Sequence, residues 1–192
     1  MSTQITTGKV RFSYCSLFEP RAAVAGGQET YSVTLLIDKG DKFTLDKIKA
    51  AVEEAKQLYL QKNSGKKLPT SLKTTLHDGD GERPNGGEFG PECAGCYVIT
   101  VSSKNKPVLV DKNKTPITDP QDLYSGCYGR AIINFFVYDT NGNKGISAGL
   151  NGVMKLHDGE PLSGGVVTDD DWDDGWEDPE AGGDSGYDDL LG

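Results

Sequence analysis

Residues 127–138 read CYGRAIINFFVY, and strand alternation divides them into two unlike faces. Cys127, Gly129, Ala131, Ile133, Phe135 and Val137 share one side, small and apolar enough for a core. Tyr128, Arg130, Ile132, Asn134, Phe136 and Tyr138 share the other. Three aromatic rings, a guanidinium and an amide suit neither a core nor a purely solvated surface. They suit unpaired nucleotides, with rings on which bases stack at about 1–3 kcal/mol each and a cation for the phosphates. Further cations stand on neighbouring segments. Lys9 and Arg11 occupy the polar side of KVRFSY (9–14), Lys104 and Lys106 begin KNKPVLVDKNK, and Lys144 follows the Asn141-Gly142-Asn143 turn. Each phosphate contact releases a counterion, so binding through these groups would weaken steeply with salt. The candidate nucleic-acid contacts are therefore Lys9, Arg11, Lys104, Lys106, Tyr128, Arg130, Phe136, Tyr138 and Lys144. The competing reading packs Phe136 and Tyr138 under a helix and leaves the loop lysines as solubilising groups.

Other reactive residue types are present without the company their chemistry needs. Cys93 and Cys96 form a CxxC, but Cys15 and Cys127 are isolated, and a zinc ribbon needs a second close pair. No strand–CxxC–helix pattern supports thioredoxin-type redox chemistry. The four cysteines read as small thiols in or beside strands, and no metal or cofactor is expected. The Asp-Gly-Asp-Gly run at 78–81 lacks the regular acidic spacing and closing glutamate of a calcium loop. His77 and His157 each begin a His-Asp-Gly tripeptide, which is ordinary turn chemistry. Neither has a nucleophile or ligand set nearby, and no P-loop, dinucleotide fingerprint or hydrolase elbow occurs. The chain reads as a binding protein, not an enzyme.

Charge is distributed in two blocks. The whole chain has 29 acidic and 20 basic residues, a net of −9. Residues 169–192 hold eleven of the acids and no base, so the preceding body carries 18 acids against 20 bases, a net of +2. The pI of 4.7 thus conceals a faintly basic body. The acidic end is studded with Trp172, Trp176, Tyr187, Leu190 and Leu191. A disordered segment of this kind can present apolar anchors among carboxylates (here also Asp188 and Asp189) to a basic groove on a partner. It can equally lie over the protein's own cationic surface, at an effective concentration in the millimolar range. The expected division is a domain at 1–168 and an acidic disordered tail at 169–192.

The elements that must position these groups are mostly strands. Residues 9–14, 30–37, 97–103, 127–139 and about 146–156 have strand patterns, and Asn141-Gly142-Asn143 is a hairpin signal. In the first of these, Val10, Phe12 and Tyr14 fall on the apolar side. Residues 16–29 (SLFEPRAAVAGGQE) read as a loop. Residues 44–61 predict one amphipathic helix, with Thr44 as N-cap, Asp46 in the first turn and Asn63-Ser64-Gly65 as its end. Residues 62–95, with five glycines among 77–92, predict a long polar loop of the kind that is usually functional or mobile. Five strands, one helix and long loops predict a mainly β chain, a five-stranded OB-type Greek-key barrel, with a β-sandwich as the alternative. The opening MSTQITTGKV has no apolar stretch and no run spans a bilayer, so a soluble intracellular protein without membrane contact is expected.

Several segments resemble a family of bacteriophage single-stranded-DNA-binding proteins, formerly a phage domain of unknown function. They are LFEPR (17–21), YSVTLLIDKGD (31–41), AGCYVITVSSKNKPVLVD (94–111), YSGCYGRAIINFFVYDTNGNKGISAGL (124–150) and VMKLHDGEPLSGG (153–165). The family is related in fold to the single-stranded-DNA-binding proteins of T7-like phages. The resemblance implies an OB fold that coats single-stranded DNA during phage replication and recombination in the cytoplasm of the infected bacterium. It also implies an acidic tail recruiting phage or host replication proteins, with self-association left open. The tail ends Leu-Leu-Gly, where several relatives end on phenylalanine. The alternative function is a protein-interaction adaptor working through the tail alone.

Overall fold

Burial alternates along the longest aromatic segment as a strand's two-residue period requires. Gly129, Ala131, Ile133 and Phe135 are buried, whereas Tyr128, Arg130, Ile132 and Asn134 are half-exposed. This computed structural model describes residues 2–22, 24–69, 72–83, 86–140 and 143–162. Its strands are β1 (Gln4–Thr6), β2 (Val10–Ala22), β3 (Glu29–Asp38), β4 (Leu76–Asp78), β5 (Cys96–Ser103), β6 (Val108–Val110), β7 (Tyr128–Thr140) and β8 (Asn143–His157). One long helix, α1 (Lys42–Lys62), lies between β3 and β4.

Five of the strands close into a ring. β2 pairs antiparallel with β3, and β3 with β5. β5 meets β8 in parallel, β8 pairs antiparallel with β7, and β7 returns to β2. That circuit is the OB-type barrel expected from the sequence. The closing contacts are short: Val10 with Gly129, Arg11 with Tyr128, and Ser102 with Gly149. Gly129 is obligatory at the first of them, because a Cβ there would strike the Met154 carbonyl and the Phe12 ring. β1 extends the sheet beside β7, β6 beside β8 and β4 beside β5. The interior is filled by Phe12, Leu35, Ile37, Ile99, Ile133 and Leu150, none more than 2% exposed.

Helix α1 packs against the barrel through Ile48, Ala51 and Ala55, all buried. Its N-terminus differs from expectation. Asp41, not Thr44, is the N-cap, its carboxylate accepting from the Thr44 amide at 3.0 Å. Thr44 is buried instead, its hydroxyl donating to Asp41 at 2.5 Å and accepting from the Gly8 amide at 2.9 Å. With the helix starting at Lys42, Asp46 falls beyond the first turn, which holds no acid.

The segment at 16–29 also departs from a loop, since β2 continues to Ala22. Its pairing with β3 is irregular between Ser13 and Ser16 and again between Ser16 and Arg21. Pro20 sits in the second gap, where its missing N–H breaks no ladder bond. The first gap turns Tyr14 out of line with Phe12, to φ 47° and 62% exposure, so Tyr14 is not a core residue.

Candidate nucleic-acid interface

The strand registers assemble one row of outward side chains across six strands. His157 opposes Tyr128, Tyr128 opposes Arg11, and Arg11 opposes Leu36. Leu36 in turn opposes Val98, and Val98 opposes His77. The next rows on the same face are Ser13–Thr34–Thr100 and Ser16–Ser32–Ser102. Six short hydroxyl side chains therefore line the outside of β2, β3 and β5. The Thr34 and Thr100 hydroxyls lie 3.0 Å apart. In an OB barrel the outer face of the second and third strands, here β3 and β5, is where oligonucleotides bind.

At one end of this face Tyr128 carries cations. The Arg11 guanidinium lies 5.5 Å and the Lys9 ammonium 5.8 Å from its ring centroid, and His157 stacks on it at 4.8 Å. Arg11 is fixed by backbone acceptors, donating to the Gly126 carbonyl at 3.1 Å and the Glu160 carbonyl at 2.7 Å. A guanidinium has five N–H groups, so donors remain for a ligand. At the other end, between β5 and β6, Lys104 and Lys106 are exposed, and Lys106 stands 5.5 Å from the Phe18 ring.

A strap described at residues 79–83 and 86–95 crosses the middle. Its neck is tied to Lys39, which reaches Asp78 and Asp80 at 2.7 Å each. Bonding to Lys39 holds both carboxyls below their ordinary range, and the same bonds raise the lysine. The neck is closed by Lys39 N–H donating to the Gly95 carbonyl (3.1 Å) and Gly79 N–H to the Cys96 carbonyl (2.8 Å). Cys93 and Phe89 on its underside cover Leu36 and Val98, joined by Leu162. Between strap and barrel runs an open groove of about 400 Å³. Ser13, Thr34 and Thr100 form its floor, with Tyr14, His77, Arg83 and Phe89 around it. The Arg83 guanidinium lies 5.5 Å from the Phe89 centroid, and bonding to the Tyr14 hydroxyl favours its charged form.

The remaining expected contacts stand elsewhere. Arg130 donates to the Thr7 carbonyl at 2.8 Å and lines a crease beside β6, away from the groove. Phe136 (44% exposed) and Tyr138 share Tyr128's face of the ribbon but sit at the far end of β7, whereas Lys144, opposite Asp139, starts β8 on the other face. Eight residues separate Tyr128 from Phe136, about 26 Å of strand. The structure thus brings Lys9, Arg11 and Tyr128 together, sets Lys104 and Lys106 at another end of that face, and separates the other four. Tyr14, His77, Arg83 and Phe89 are not among the contacts expected from the sequence, in which Tyr14 reads as facing the apolar side and His77 as part of a turn. Arg83 and Phe89 lie in a glycine-rich loop without periodicity, where a lone arginine and a lone aromatic were the only signals.

The repeated His-Asp-Gly turns have structural roles besides flanking the row. Asp78 holds the strap, and Asp158 accepts from Lys155 at 2.6 Å and from the Tyr124 hydroxyl at 3.0 Å. Burial raises all four thiols, Cys15 to about 12. Among the described residues no three His, Cys, Asp or Glu side chains gather as a metal site would require. Trp172, Trp176, Tyr187, Asp188, Asp189, Leu190 and Leu191, with the boundary at 168, lie outside the described residues.

Known proteins with this architecture were found by sequence and by shape. The model of the family described as the Enterobacter phage Enc34 ssDNA-binding protein matches residues 3–182. Protein p50 of Acyrthosiphon pisum secondary endosymbiont phage 1 is 32% identical over 170 residues, 85% of this chain and 89% of its own. The solved complex of the bacteriophage Enc34 single-stranded-DNA-binding protein with ssDNA superposes with a TM-score of 0.67. It is 28% identical and covers 84% of this chain and 90% of its own. The gp2.5 single-stranded-DNA-binding protein of bacteriophage T7, 17% identical, covers 96% of this chain and 100% of its own at a TM-score of 0.58, a likeness of fold. With a match over nearly the whole described barrel, this chain belongs to the Enc34-type family of phage single-stranded-DNA-binding proteins.

Proposed function

We propose that the protein binds single-stranded DNA without sequence preference, laying the strand across the outer face of β2, β3 and β5. The observation that carries this reading is the hydroxyl-lined channel with cation–aromatic pairs at both ends. Short serine and threonine side chains let a strand approach the sheet closely, and their hydroxyls serve phosphate or sugar without reading sequence. Tyr128, Tyr14 and Phe89 supply stacking surfaces that accept any base. Lys9 and Arg11 at one end, Lys104 and Lys106 at the other, and Arg83 over the groove supply the cations. Arg130, Phe136, Tyr138 and Lys144 extend the contact set along β7 and β8. The complex of the Enc34 relative with ssDNA supports this choice of ligand.

Its role on this reading is to protect and organise single strands during phage replication and recombination, by binding and not by catalysis, in the infected cell's cytoplasm. The tail recruits replication proteins and competes with DNA. Support for the competition comes from its root. Leu162, the last described residue, packs against the Leu36–Cys93–Val98 cluster, and its amide donates to the Ser125 carbonyl at 2.9 Å. The described chain thus ends beside the groove, and the first of the eleven acids, Asp169, follows seven positions later in the sequence.

The test is anisotropy of labelled oligo-dT at low salt, with full-length protein and with a variant lacking 169–192. Salt-sensitive binding is expected, tighter in the truncated form. Both tryptophans, Trp172 and Trp176, lie in the tail, so tryptophan emission on adding DNA reports the tail's displacement. Absence of binding by either form sinks the reading. Equal affinity of the two forms sinks the competition alone.

A further inference from the structure

Phe136, Tyr138 and Lys144 belong to a second cationic–aromatic surface, assembled where α1 ends. Tyr59 and Lys62 of α1 line an open groove of about 420 Å³ with Asn134 and Phe136 of β7. Lys66 and Lys67 follow the helix, both exposed. Lys144 joins them by donating to the Lys67 carbonyl at 3.2 Å, and Lys73 pairs with Gly145 in the adjoining backbone. Asp139 is the acid within this cluster, and it is already engaged by the Tyr59 hydroxyl at 2.7 Å and by Lys66 at 3.1 Å. Lys62 thus shares a groove with the exposed Phe136 ring, while Lys66, Lys67 and Lys144 gather beside the paired Asp139 carboxylate.

Resting on the reading above, we infer that this surface is a second binding site for single-stranded DNA, so that one protomer holds two separate segments of strand. Three observations favour it. The ingredients match those of the first face: an exposed ring for stacking and unsheathed lysines for phosphates. The sites are too far apart for one short contact, since about 26 Å of β7 lies between Tyr128 and Phe136. The last described residues before the acidic segment lie at the other site, where Arg11 donates to the Glu160 carbonyl and Leu162 packs against the Leu36–Cys93–Val98 cluster. A polyanion tethered from that point has its highest effective concentration over the first groove. A strand arriving at the α1 end meets the cations with less competition. Two sites on one barrel would let a protomer fold a strand back on itself or hold two strands side by side.

The test counts oligonucleotides per protomer. Full-length protein is mixed at low salt with dT oligomers of about eight nucleotides, within the span of one OB barrel, and analysed by native mass spectrometry and calorimetry. Two per protomer are expected for the unaltered protein. The pair Lys62→Glu and Lys67→Glu should leave one, and should lower the salt slope of the second step by about 1.4, two contacts at about 0.7 each. Phe136→Ala should weaken the second step alone. Tyr14→Ala with Arg83→Ala should weaken the other step and spare this one. A single oligomer per unaltered protomer overturns the inference, as does a lysine-reversed variant that still binds two. If one oligomer binds and carbodiimide joins Lys62 or Lys67 to tail carboxylates, the surface belongs to the acidic tail instead. Failure of every form to bind DNA would sink the first-face reading as well, so the two are distinguishable.

Discussion

The Arg11 guanidinium and the Tyr128 ring face each other in register across the β2–β7 closure, 5.5 Å from guanidinium carbon to ring centroid. Because Arg11 is also bound to two backbone carbonyls, the pair is set before any ligand arrives, which limits the entropy lost on binding. Replacing the ring should therefore be felt directly. Tyr128→Leu, which keeps apolar bulk against His157 and Gly159 but removes the aromatic face, is expected to lose about 1–3 kcal/mol of ssDNA affinity. Tyr128→Phe should stay near the original. Anisotropy titrations of the two variants check this, and equal affinity of all three proteins would remove Tyr128 from the contact set.

Tyr14 and Arg83 approach each other over the groove, and both side chains are exposed. Truncating either should change folding stability by no more than about 0.5 kcal/mol. Arg83→Ala should weaken ssDNA binding and lower the salt slope by about 0.7, the value for one lost phosphate contact on a single strand. Arg83→Lys should restore the slope but not the full affinity, because an ammonium lacks the planar face that stacks on Phe89. Measuring affinity from low to high salt for the three proteins separates these outcomes.

How much of this was visible beforehand depends on where regular backbone ends. The barrel strands, the helix and the outward set on β7 follow from two- and 3.6-residue periods, which the structure obeys through Phe135. Tyr14 was assigned inward because alternation from Val10 and Phe12 puts it there. The irregularity after Ser13 reverses it, and no residue at that point announces a bulge. Asp41 and Thr44 are both good capping types, and their rivalry is settled by the Gly8 amide, a tertiary contact invisible to local reasoning. Arg83 and Phe89 reach the groove because Asp78 and Asp80, about 40 residues from Lys39 in the chain, and the packing of Phe89 and Cys93 fold the strap back. The parity that placed Tyr128 and Phe136 on one face was correct, but a strand of 13 residues is long enough for one face to serve two places.

The neck of the strap should respond to pH in a defined window. Asp78 and Asp80 have carboxyls lowered by Lys39, so their contribution is complete above the ordinary aspartate value and is lost as pH falls through the lowered one. Lys39 is raised by the same bonds, so its contribution is complete below the ordinary lysine value and is lost as pH rises through the raised one. The strap is therefore expected to be fully clamped from about pH 4 to pH 10, near the unperturbed values, and to loosen progressively further out as the lowered aspartates protonate or the raised lysine loses its proton. Limited proteolysis within 79–95 across that range checks the acid side and the plateau. Lys39→Ala should raise cleavage at every pH within the window, while cleavage of unaltered protein that varies through the plateau would contradict the clamp.

Two glycines of the β7–β8 ribbon make a matched test of ring closure. At Gly129 a methyl group would meet the Met154 carbonyl and the Phe12 ring, neither of which can withdraw without opening the β2–β7 seam. At Gly152 the nearest atoms to an added Cβ are 3.4 to 3.7 Å away, an ordinary contact. Gly129→Ala is accordingly expected to destabilise the barrel by about 1–3 kcal/mol, as overpacking does in a filled core. Gly152→Ala should stay within about 0.5 kcal/mol of the original. Urea unfolding followed by far-ultraviolet circular dichroism gives both values. If closure of the ring positions Arg11 beside Tyr128, Gly129→Ala should also weaken oligo-dT binding under conditions where it is still folded, whereas Gly152→Ala should not. Equal stability of the two variants would mean that the β2–β7 contact is not what closes the barrel.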